Sequence, residues 1–442
     1  MTIRDTDLST APPGAADALD PVLHAGFKGF PLAAAPVRRS AIAALGWNVL
    51  AGDLPLPVAL LRREALDHNL AWLQARVDDW GIDLAPHGKT TMSPQLFRRQ
   101  LDGGAWGLTF ATVGQLAVGV AAGARRALIA NQVVSGPDLA GLQHLLARHA
   151  DLRVVFLVDS TAQLDLIEDW ARRHPPARPF EAMVEIGVAG ARTGCRTHDQ
   201  AIALAARLRA SAAVRLVGIE CYEGQGATGE SGPDAAYTDA LMDRVDAVAR
   251  HAVAHDLFEG DEVLVSAGGS ALYDLVARRL RPALGRPVRG LLRSGCYVTH
   301  DHGTYQRLQV PIDARLRCAA GESLRPALEV WATVQSRPEP RLAIVAMGKR
   351  DISFDLSMPV PIARAAAGAR RTSPVPPSWE IGALNDQHAY LRWSDADDAL
   401  APVVGERVGF GISHPCTTFD KWHWMPVVDD DYGVGDAVTM HF

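Results

Sequence analysis

Lysine is rare in this chain, so each lysine can be examined for chemistry that needs a primary amine. Four of the 44 basic residues are lysines, and the others are arginines: Lys28, Lys89, Lys349 and Lys421. A primary amine forms an imine with a carbonyl compound, whereas a guanidinium cannot. Lys89 follows a strand-like run, and His87 lies two residues earlier on the same face of an extended segment. Lys89 can therefore be an imine-forming lysine or an ordinary anion-binding one. His87 can stack on a cofactor ring or fill the rim of a barrel.

Two turns rich in small residues contain candidate phosphate-binding groups. SAGGS spans residues 266–270 and SGCY spans residues 294–297, and together they offer Ser266, Gly268, Gly269, Ser270, Gly295 and Tyr297. Small residues let backbone N–H groups approach an anion, and a helix beginning near Ser270 would point its positive end at the ligand. SAGGS alone is more typical of a tight strand-to-helix turn than of a phosphate site, but the pair of turns favours phosphate. A lysine beside such a site indicates an imine with a phosphorylated aldehyde, namely pyridoxal phosphate.

His414 and Cys416 are candidate metal ligands. One residue separates them, so in an extended segment both side chains face the same way. Imidazole and thiolate together suit Zn²⁺, and a site with two protein ligands leaves positions for substrate and water. A buried cysteine beside a surface histidine is the alternative interpretation. Three further candidates lie nearby or end a polar stretch: His388, Asp420 and His423.

Composition excludes several classes of protein. Apolar residues make up 48% and charged residues 21% of the 442 residues, which is ordinary globular usage. The net charge of −6 argues against a nucleic-acid partner, and no apolar run approaches the roughly 20 residues that cross a bilayer. The acidic N-terminus lacks the apolar core of a signal peptide. Five scattered cysteines fit a reducing compartment, so we expect a cytoplasmic protein.

Alternating strand-like and helix-like runs position the candidate residues. The eight strand-like runs cover residues 82–86, 106–110, 127–131, 154–158, 182–187, 216–221, 263–266 and 290–293. This count predicts an α/β fold with a (β/α)₈ barrel of the TIM type rather than a doubly wound open sheet. Residues 57–61 and 62–77 form an extra strand and helix before the series. Lys89 and both small-residue turns follow strands, and barrel active sites lie at those strand ends.

The chain divides into three predicted parts. Residues 1–56 form an N-terminal arm that packs on another part of the molecule or is partly disordered. Residues 57–305 form the barrel that binds the cofactor. In residues 306–442 helical periodicity is nearly absent, and short β-like runs alternate with Pro- and Gly-rich turns. This last part is predicted to be an all-β domain, and it carries His414 and Cys416.

The motifs in this order resemble the family of D-serine dehydratases and D-threonine aldolases. They are PHGKT at 86–90, RTG at 192–194, SAGGS at 266–270, RSGCY at 293–297 and HPC at 414–416. The similarity runs from about residue 57 through nearly all of the chain. The family has fold type III: an alanine-racemase-like barrel that binds pyridoxal phosphate, followed by a β domain with a metal pair.

The resemblance assigns a role to each candidate residue. Lys89 would be the catalytic lysine that carries the cofactor, and both small-residue turns would hold the phosphate. Arg192 and Tyr222 would lie near the cofactor ring. His414 and Cys416 would bind a divalent metal, with Zn²⁺ expected. A homodimer is expected by analogy with proteins of this fold.

The implied reaction is dehydration of a D-configured β-hydroxy amino acid. D-serine, giving pyruvate and ammonia, is the leading substrate, and Cys416 resembles the dehydratases because the aldolases carry Asp there. Retro-aldol cleavage of D-threonine to glycine and an aldehyde is the nearest alternative, and a cofactor-binding protein without turnover is a remoter one. Ala85 and Thr91 replace an Arg and a His of the family pattern, and HDH at 300–302 is unusual. These departures indicate a distinct subfamily.

Overall fold

The computed structural model describes residues 15–442. The strands are β1 (Val22–Leu23), β2 (Val37–Arg38), β3 (Val58–Arg62), β4 (Asp83–Leu84), β5 (Leu108–Phe110), β6 (Arg126–Gln132), β7 (Arg153–Val158), β8 (Phe180–Ile186), β9 (Val214–Cys221), β10 (Val263–Ala267), β11 (Val288–Leu292), β12 (Leu328–Glu339), β13 (Leu342–Val345), β14 (Val360–Ala365), β15 (Glu380–Leu384), β16 (Ala389–Arg392), β17 (Arg407–Gly411), β18 (Trp424–Val428) and β19 (Val434–Thr439). The α-helices are α1 (Ala15–Leu19), α2 (Arg63–Asp79), α3 (Pro94–Asp102), α4 (Val113–Ala121), α5 (Gly136–Arg148), α6 (Thr161–Arg173), α7 (His198–Arg209), α8 (Ser231–Ala254), α9 (Tyr273–Ala277), α10 (Thr304–Leu316) and α11 (Cys416–Phe419).

Strands β4 to β11 form an eight-stranded parallel barrel. Their order is β4-β11-β10-β9-β8-β7-β6-β5, and backbone hydrogen bonds join the two outer strands. The Trp106 N–H donates to the Leu84 carbonyl at 2.8 Å, and the Thr109 N–H donates to the Pro86 carbonyl at 2.8 Å. Buried apolar side chains, among them Leu128 and Leu264, fill the interior. The predicted TIM-type α/β barrel is therefore confirmed, and each strand lies within a few residues of its predicted position.

Side-chain caps set the starts of the barrel helices. Thr112, Ser135, Ser160 and Thr197 precede α4, α5, α6 and α7, and each accepts a hydrogen bond from the backbone N–H three residues later. Such caps satisfy N–H groups that have no partner within the helix. Each helix therefore starts at a defined residue after its strand, which fixes the length of the loops at the strand ends. No helix among residues 15–442 combines the length and apolarity needed to cross a membrane.

Strand β3 belongs to the second sheet and not to the barrel. It pairs antiparallel with β12, with Val58 opposite Trp331, and parallel with β18. The sequence predicts an extra strand at residues 57–61 directly before the barrel series, and that segment supplies an interior strand of the second sheet. The part of the arm from residue 15 onwards packs on this sheet, as Phe30 and Ile42 share an apolar cluster with Trp424. Residues 1–14 of the predicted arm lie outside the described residues.

The second sheet has the strand order β15-β16-β13-β12-β3-β18-β19, and β17 pairs with β12 and β14. After residue 305, where the sequence predicts almost no helical periodicity, the structure contains the four-residue α11 and the longer helix α10. This 13-residue helix contains Pro311, a residue that usually ends a helical pattern. Asp301 stabilises its start, because Oδ1 accepts from the N–H groups of Gly303 and Tyr305 at 2.9 Å each. The rest of this part is mostly β, as predicted.

Candidate active site

A cavity of about 500 Å³ opens at the C-terminal ends of the barrel strands, and the β domain forms part of its wall. Most of the residues predicted from sequence line it, although they come from distant parts of the chain. They are His87, Lys89, Arg192, Tyr222, Gly268, Gly269, Ser270, Gly295, His414 and Cys416. The volume lies within the range of small-molecule sites. The structure therefore brings the candidate imine, phosphate and metal residues to one place.

Lys89 lies in a 3₁₀ turn, Gly88–Thr90, directly after β4. His87 caps this turn, and its Nδ1 accepts from the Lys89 N–H at 3.4 Å. A side chain at position 88 is excluded, since its Cβ would lie 2.7 Å from the Phe110 ring. Burial lowers the pKa of His87 well below its usual value, and the charge of Lys89 adds to this. A neutral imidazole therefore stands beside the lysine.

The two small-residue turns meet directly. The Ser294 hydroxyl donates to the Gly269 carbonyl at 2.6 Å. A Cβ on Gly268 would lie 2.7 Å from the Cβ of Arg293, and one on Gly295 would lie 2.6 Å from the His87 carbonyl oxygen. Only glycine fits at these positions, and the resulting surface is bare backbone of the kind that cradles a phosphate.

Two predicted phosphate-binding side chains do not face the cavity. The Ser266 hydroxyl is buried and donates to the Leu291 carbonyl at 2.9 Å. The Tyr297 ring is buried on the far side of its turn, where its hydroxyl accepts from Gln100 Nε2 at 3.3 Å. The helix expected near Ser270 begins at Tyr273 and has only five residues. The cradle therefore depends on the turn backbone and Ser270 and has no long helix at its edge.

A buried ion pair that lines the cavity has no role in the sequence prediction. Arg293 forms an ion pair with Glu220, and its NH1 donates to the Ser266 hydroxyl at 2.6 Å. Burial raises the pKa of Glu220 to about 8, against the opposing effect of Arg293. A carboxylate inside an apolar strand-like run, as in LVGIEC at 216–221, is the signal that could have revealed this pair.

The opposite wall combines a cation, an aromatic ring and a second carboxylate. The Arg192 guanidinium lies 4.5 Å from the centre of the Tyr222 ring. Glu185 accepts from the Thr193 hydroxyl at 2.7 Å and from Gln132 Nε2 at 2.5 Å. Arg192 and Tyr222 thus lie together at the cavity, and their position near a cofactor ring stays a prediction. Glu185 also lines the cavity, although the sequence prediction does not include it among the site residues. It lies in the strand-like run at 182–187.

His414 and Cys416 meet the lysine turn from the β-domain side. The Cys416 sulfur lies 3.4 Å from the hydroxyl of Thr90, the residue after Lys89. His414 Nδ1 lies 2.6 Å from a carboxylate oxygen of Asp355, and Thr417 donates to the other oxygen at 2.7 Å. Hydrogen bonding from Cys296 and the proximity of His414 lower the pKa of Cys416 well below its usual value despite burial. The pair offers a thiolate and an oriented imidazole.

The other histidine and aspartate candidates lie elsewhere. His423 stacks on Phe27 with ring centres 6.0 Å apart, and Asp420 pairs with Lys421 at 3.6 Å. His388 is not among the residues that line the cavity. Among residues 15–442, no group of three or more His, Cys, Asp or Glu side chains is arranged to hold a metal. A metal on His414 and Cys416 would therefore keep open positions.

The residues fit both pyridoxal phosphate and a divalent ion. Close packing against Arg293 and His87 requires glycine at positions 268 and 295, which leaves turn backbone free of side chains at the cavity wall, and Lys89 lines the same cavity. A thiolate with an imidazole held by a carboxylate is a donor set typical of zinc, and the carboxylate leaves Nε2 of His414 as the nitrogen that faces a metal. The three groups lie close together, since the Cys416 sulfur contacts both Thr90 of the lysine turn and Cys296 of the second small-residue turn.

Two family models match this chain. The model for the N-terminal domain of alanine racemase matches residues 61–281, half of the chain, and a model for a serine dehydratase domain matches residues 327–428. The chain is 26% identical over 374 residues to D-threonine aldolase of Arthrobacter sp., covering 85% of this chain and 89% of that protein. It is 28% identical over 389 residues to D-threo-3-hydroxyaspartate dehydratase of Delftia sp. (strain HT23), covering 83% and 92%.

Solved structures share the fold. D-threonine aldolase from Filomicrobium marinum superposes with a TM-score of 0.72 at 24% identity, covering 88% of this chain and 95% of that chain. A variant of D-threo-3-hydroxyaspartate dehydratase in which one cysteine is replaced by alanine has been solved in a metal-free form. It superposes with a TM-score of 0.68 at 24% identity, covering 90% and 100%.

The fold and the site define an alanine-racemase-type barrel enzyme with an added β domain. The chain belongs to the fold-type III, pyridoxal-phosphate-dependent family of D-serine dehydratases and D-threonine aldolases, and it is a lyase.

Proposed function

We propose that this lyase dehydrates a D-configured β-hydroxy amino acid with the help of a divalent metal, and that D-serine, giving pyruvate and ammonia, is its substrate. The observation that carries the proposal is the position of Cys416 and His414 beside the lysine turn, with the Cys416 sulfur 3.4 Å from Thr90 Oγ1. A metal held there would face a hydroxyl on the carbon next to Cα. A structure of D-threo-3-hydroxyaspartate dehydratase is described as a metal-free form, which supports a metal in that relative.

Lys89 holds the cofactor and moves the Cα proton in this proposal. Pyridoxal phosphate, when bound, withdraws electrons from Cα and lowers the barrier to losing that proton. The amine of Lys89 must then stand next to Cα, and Lys89 lines the same cavity as the glycine turns and the metal pair. The turn residues Gly268, Gly269 and Gly295 anchor the phosphate and so fix how far the cofactor reaches from the cradle.

Departure of the hydroxyl group depends on three residues. His414 and Cys416 would bind the ion, and Asp355 orients His414. Hydroxide leaves poorly, and a divalent ion supplies the acid that its departure needs. Asp355 holds His414 by Nδ1 at 2.6 Å, so that Nε2 is the nitrogen presented to the ion. Zn²⁺ is the proposed ion because imidazole and thiolate are ligands that zinc prefers.

Retro-aldol cleavage is the second candidate, because the Arthrobacter aldolase is 26% identical over most of the chain. A metal at the β-oxygen would assist both reactions, so the products distinguish them. Elimination from D-serine yields pyruvate and ammonia, whereas cleavage of D-threonine yields glycine and acetaldehyde.

The test supplies D-serine, D-threonine and D-threo-3-hydroxyaspartate separately to the holoenzyme and identifies the products. We expect pyruvate from D-serine, loss of activity after chelation with the visible cofactor colour retained, and recovery with Zn²⁺. Glycine as the main product across these substrates would assign the enzyme to the aldolases. Full activity after exhaustive chelation would remove the metal from the mechanism.

The oligomeric state and the cellular location of the enzyme stay predictions. We expect a homodimer, which sedimentation would reveal. We also expect a cytoplasmic location, since all five cysteines are free.

A further inference from the structure

We infer that Cys296 and Cys416 form a thiol pair that peroxides or small disulfides convert into a disulfide across the active-site cavity. Cys296 lies in the turn after the last barrel strand, and Cys416 begins α11 of the β domain. Their sulfur atoms lie 3.8 Å apart. The cross-link follows from this geometry alone, while its effect on activity rests on the proposed function.

The two sulfurs share one small polar neighbour and one cavity. The Thr90 hydroxyl lies 3.4 Å from the Cys416 sulfur and 3.8 Å from the Cys296 sulfur. Both cysteines line the cavity, which admits a small oxidant. Cys296 is buried and Cys416 is partly exposed, so an incoming peroxide meets Cys416 first. A disulfide has an S–S length of about 2.05 Å, so the sulfurs must approach by about 1.8 Å.

The other three cysteines lack such a partner among residues 15–442. Cys195 is buried and lies 3.3 Å from the Asp159 carbonyl oxygen. Cys221 is buried against Met242, with their sulfurs 3.7 Å apart. Cys318 lies after α10 and does not line the cavity. One specific cross-link is therefore expected.

The chemistry balances with hydrogen peroxide as the oxidant. The Cys416 sulfur attacks one peroxide oxygen, which forms a sulfenic acid and releases one water. The Cys296 sulfur then attacks the sulfenic sulfur, forms the S–S bond and releases a second water. The two thiols lose two electrons, and the peroxide gains them. A dithiol reductant reverses the step by thiol–disulfide exchange.

The disulfide would switch the enzyme off reversibly. It would take the Cys416 sulfur away from a bound metal, and it ties the barrel to the β domain at the cavity wall. Cys296 thereby protects Cys416, because a sulfenic acid without a neighbouring thiol proceeds to irreversible sulfinic acid.

The test treats chelated holoenzyme with a small excess of hydrogen peroxide, blocks the remaining thiols and digests with trypsin without reduction. Cleavage at arginine and lysine gives peptides 294–307 and 408–421, each with one cysteine. We expect mass spectrometry to find these two peptides joined, with the loss of two hydrogen atoms, and separated again by dithiothreitol. Oxidised Cys416 without this cross-link, or a cross-link between other cysteines, would overturn the inference.

Two variants separate the disulfide from general oxidation. Cys318→Ser should form the cross-link as the wild type does. Cys296→Ser should form none, and dithiothreitol should restore less than a tenth of the D-serine activity lost to peroxide, against most of it in the wild type. Equal recovery in both would contradict the protective role of Cys296. The mass measurement needs no turnover, so it stands even if D-serine is not the substrate.

Discussion

Replacing Gly295 by alanine should weaken cofactor binding through the lysine turn. A Cβ at position 295 would lie 2.6 Å from the His87 carbonyl oxygen and 2.9 Å from Thr90 Oγ1. Non-bonded heavy atoms pack at roughly 3.5 Å, so the two segments must separate by roughly 0.9 Å. The apoenzyme can relax in this way. The holoenzyme cannot, because Lys89 and the phosphate cradle hold the cofactor from both sides.

The magnitude follows from the cost of overpacking. Inserting one methyl group into packed structure costs about 1–3 kcal/mol, and about 1.4 kcal/mol corresponds to a tenfold change in affinity. We therefore expect the Kd for pyridoxal phosphate to rise about 5- to 150-fold in Gly295→Ala. Gly269→Ala should have a smaller effect, because its Cβ meets the end of the Glu223 side chain, at 2.5 Å, and not backbone.

The assay titrates each apoenzyme with pyridoxal phosphate and follows visible absorbance, with urea unfolding of the apoenzymes in parallel. Gly232→Ala is the matched control, since it lies in the first turn of α8 with no atom within 4 Å of the added Cβ. A Gly295→Ala apoenzyme that is as stable as the wild type and binds the cofactor equally well would refute the reasoning.

Two further predictions concern the metal pair and acid stability. Asp355→Asn should lower Zn²⁺ affinity about 10- to 100-fold in a chelator competition, because the carboxylate orients His414; unchanged affinity would contradict this role. Burial lowers the pKa of His300 and His302 to about 4, so both stay neutral in the folded chain while the unfolded chain takes up protons below about pH 6.5. Neither histidine destabilises the folded chain above pH 6.5. As the pH falls towards 4, keeping each of them neutral lowers the free energy of unfolding, by roughly 2 to 3 kcal/mol at pH 4.5. Urea unfolding at pH 7 and pH 4.5 should show a smaller loss in His300→Gln, and an equal loss would be inconsistent with this cause.

Local sequence predicts those site residues that directly follow a barrel strand. Lys89 follows β4, and the glycines follow β10 and β11, so a strand count and the turn composition were enough to place them together. The metal pair came from the spacing of His414 and Cys416. The barrel itself followed from the alternation of runs.

Long-range pairing accounts for what the sequence did not predict. The Arg293–Glu220 ion pair joins two strands far apart in sequence, so neither residue alone indicates the other. Ser266 and Tyr297 sit in the right turns but point elsewhere, because side-chain direction depends on the final backbone path. Strand β3 has the same local pattern as a barrel strand, and only its partners β12 and β18 reveal its sheet.

The most direct test of the account is the identity of the residue that carries the cofactor. Borohydride reduction of the holoenzyme fixes a pyridoxal phosphate imine to its lysine, and four lysines give few peptides to distinguish. We predict that mass spectrometry finds the reduced cofactor on Lys89, and that Lys89→Arg shows no label. Label on Lys28, Lys349 or Lys421, or a labelled and active Lys89→Arg enzyme, would contradict the account.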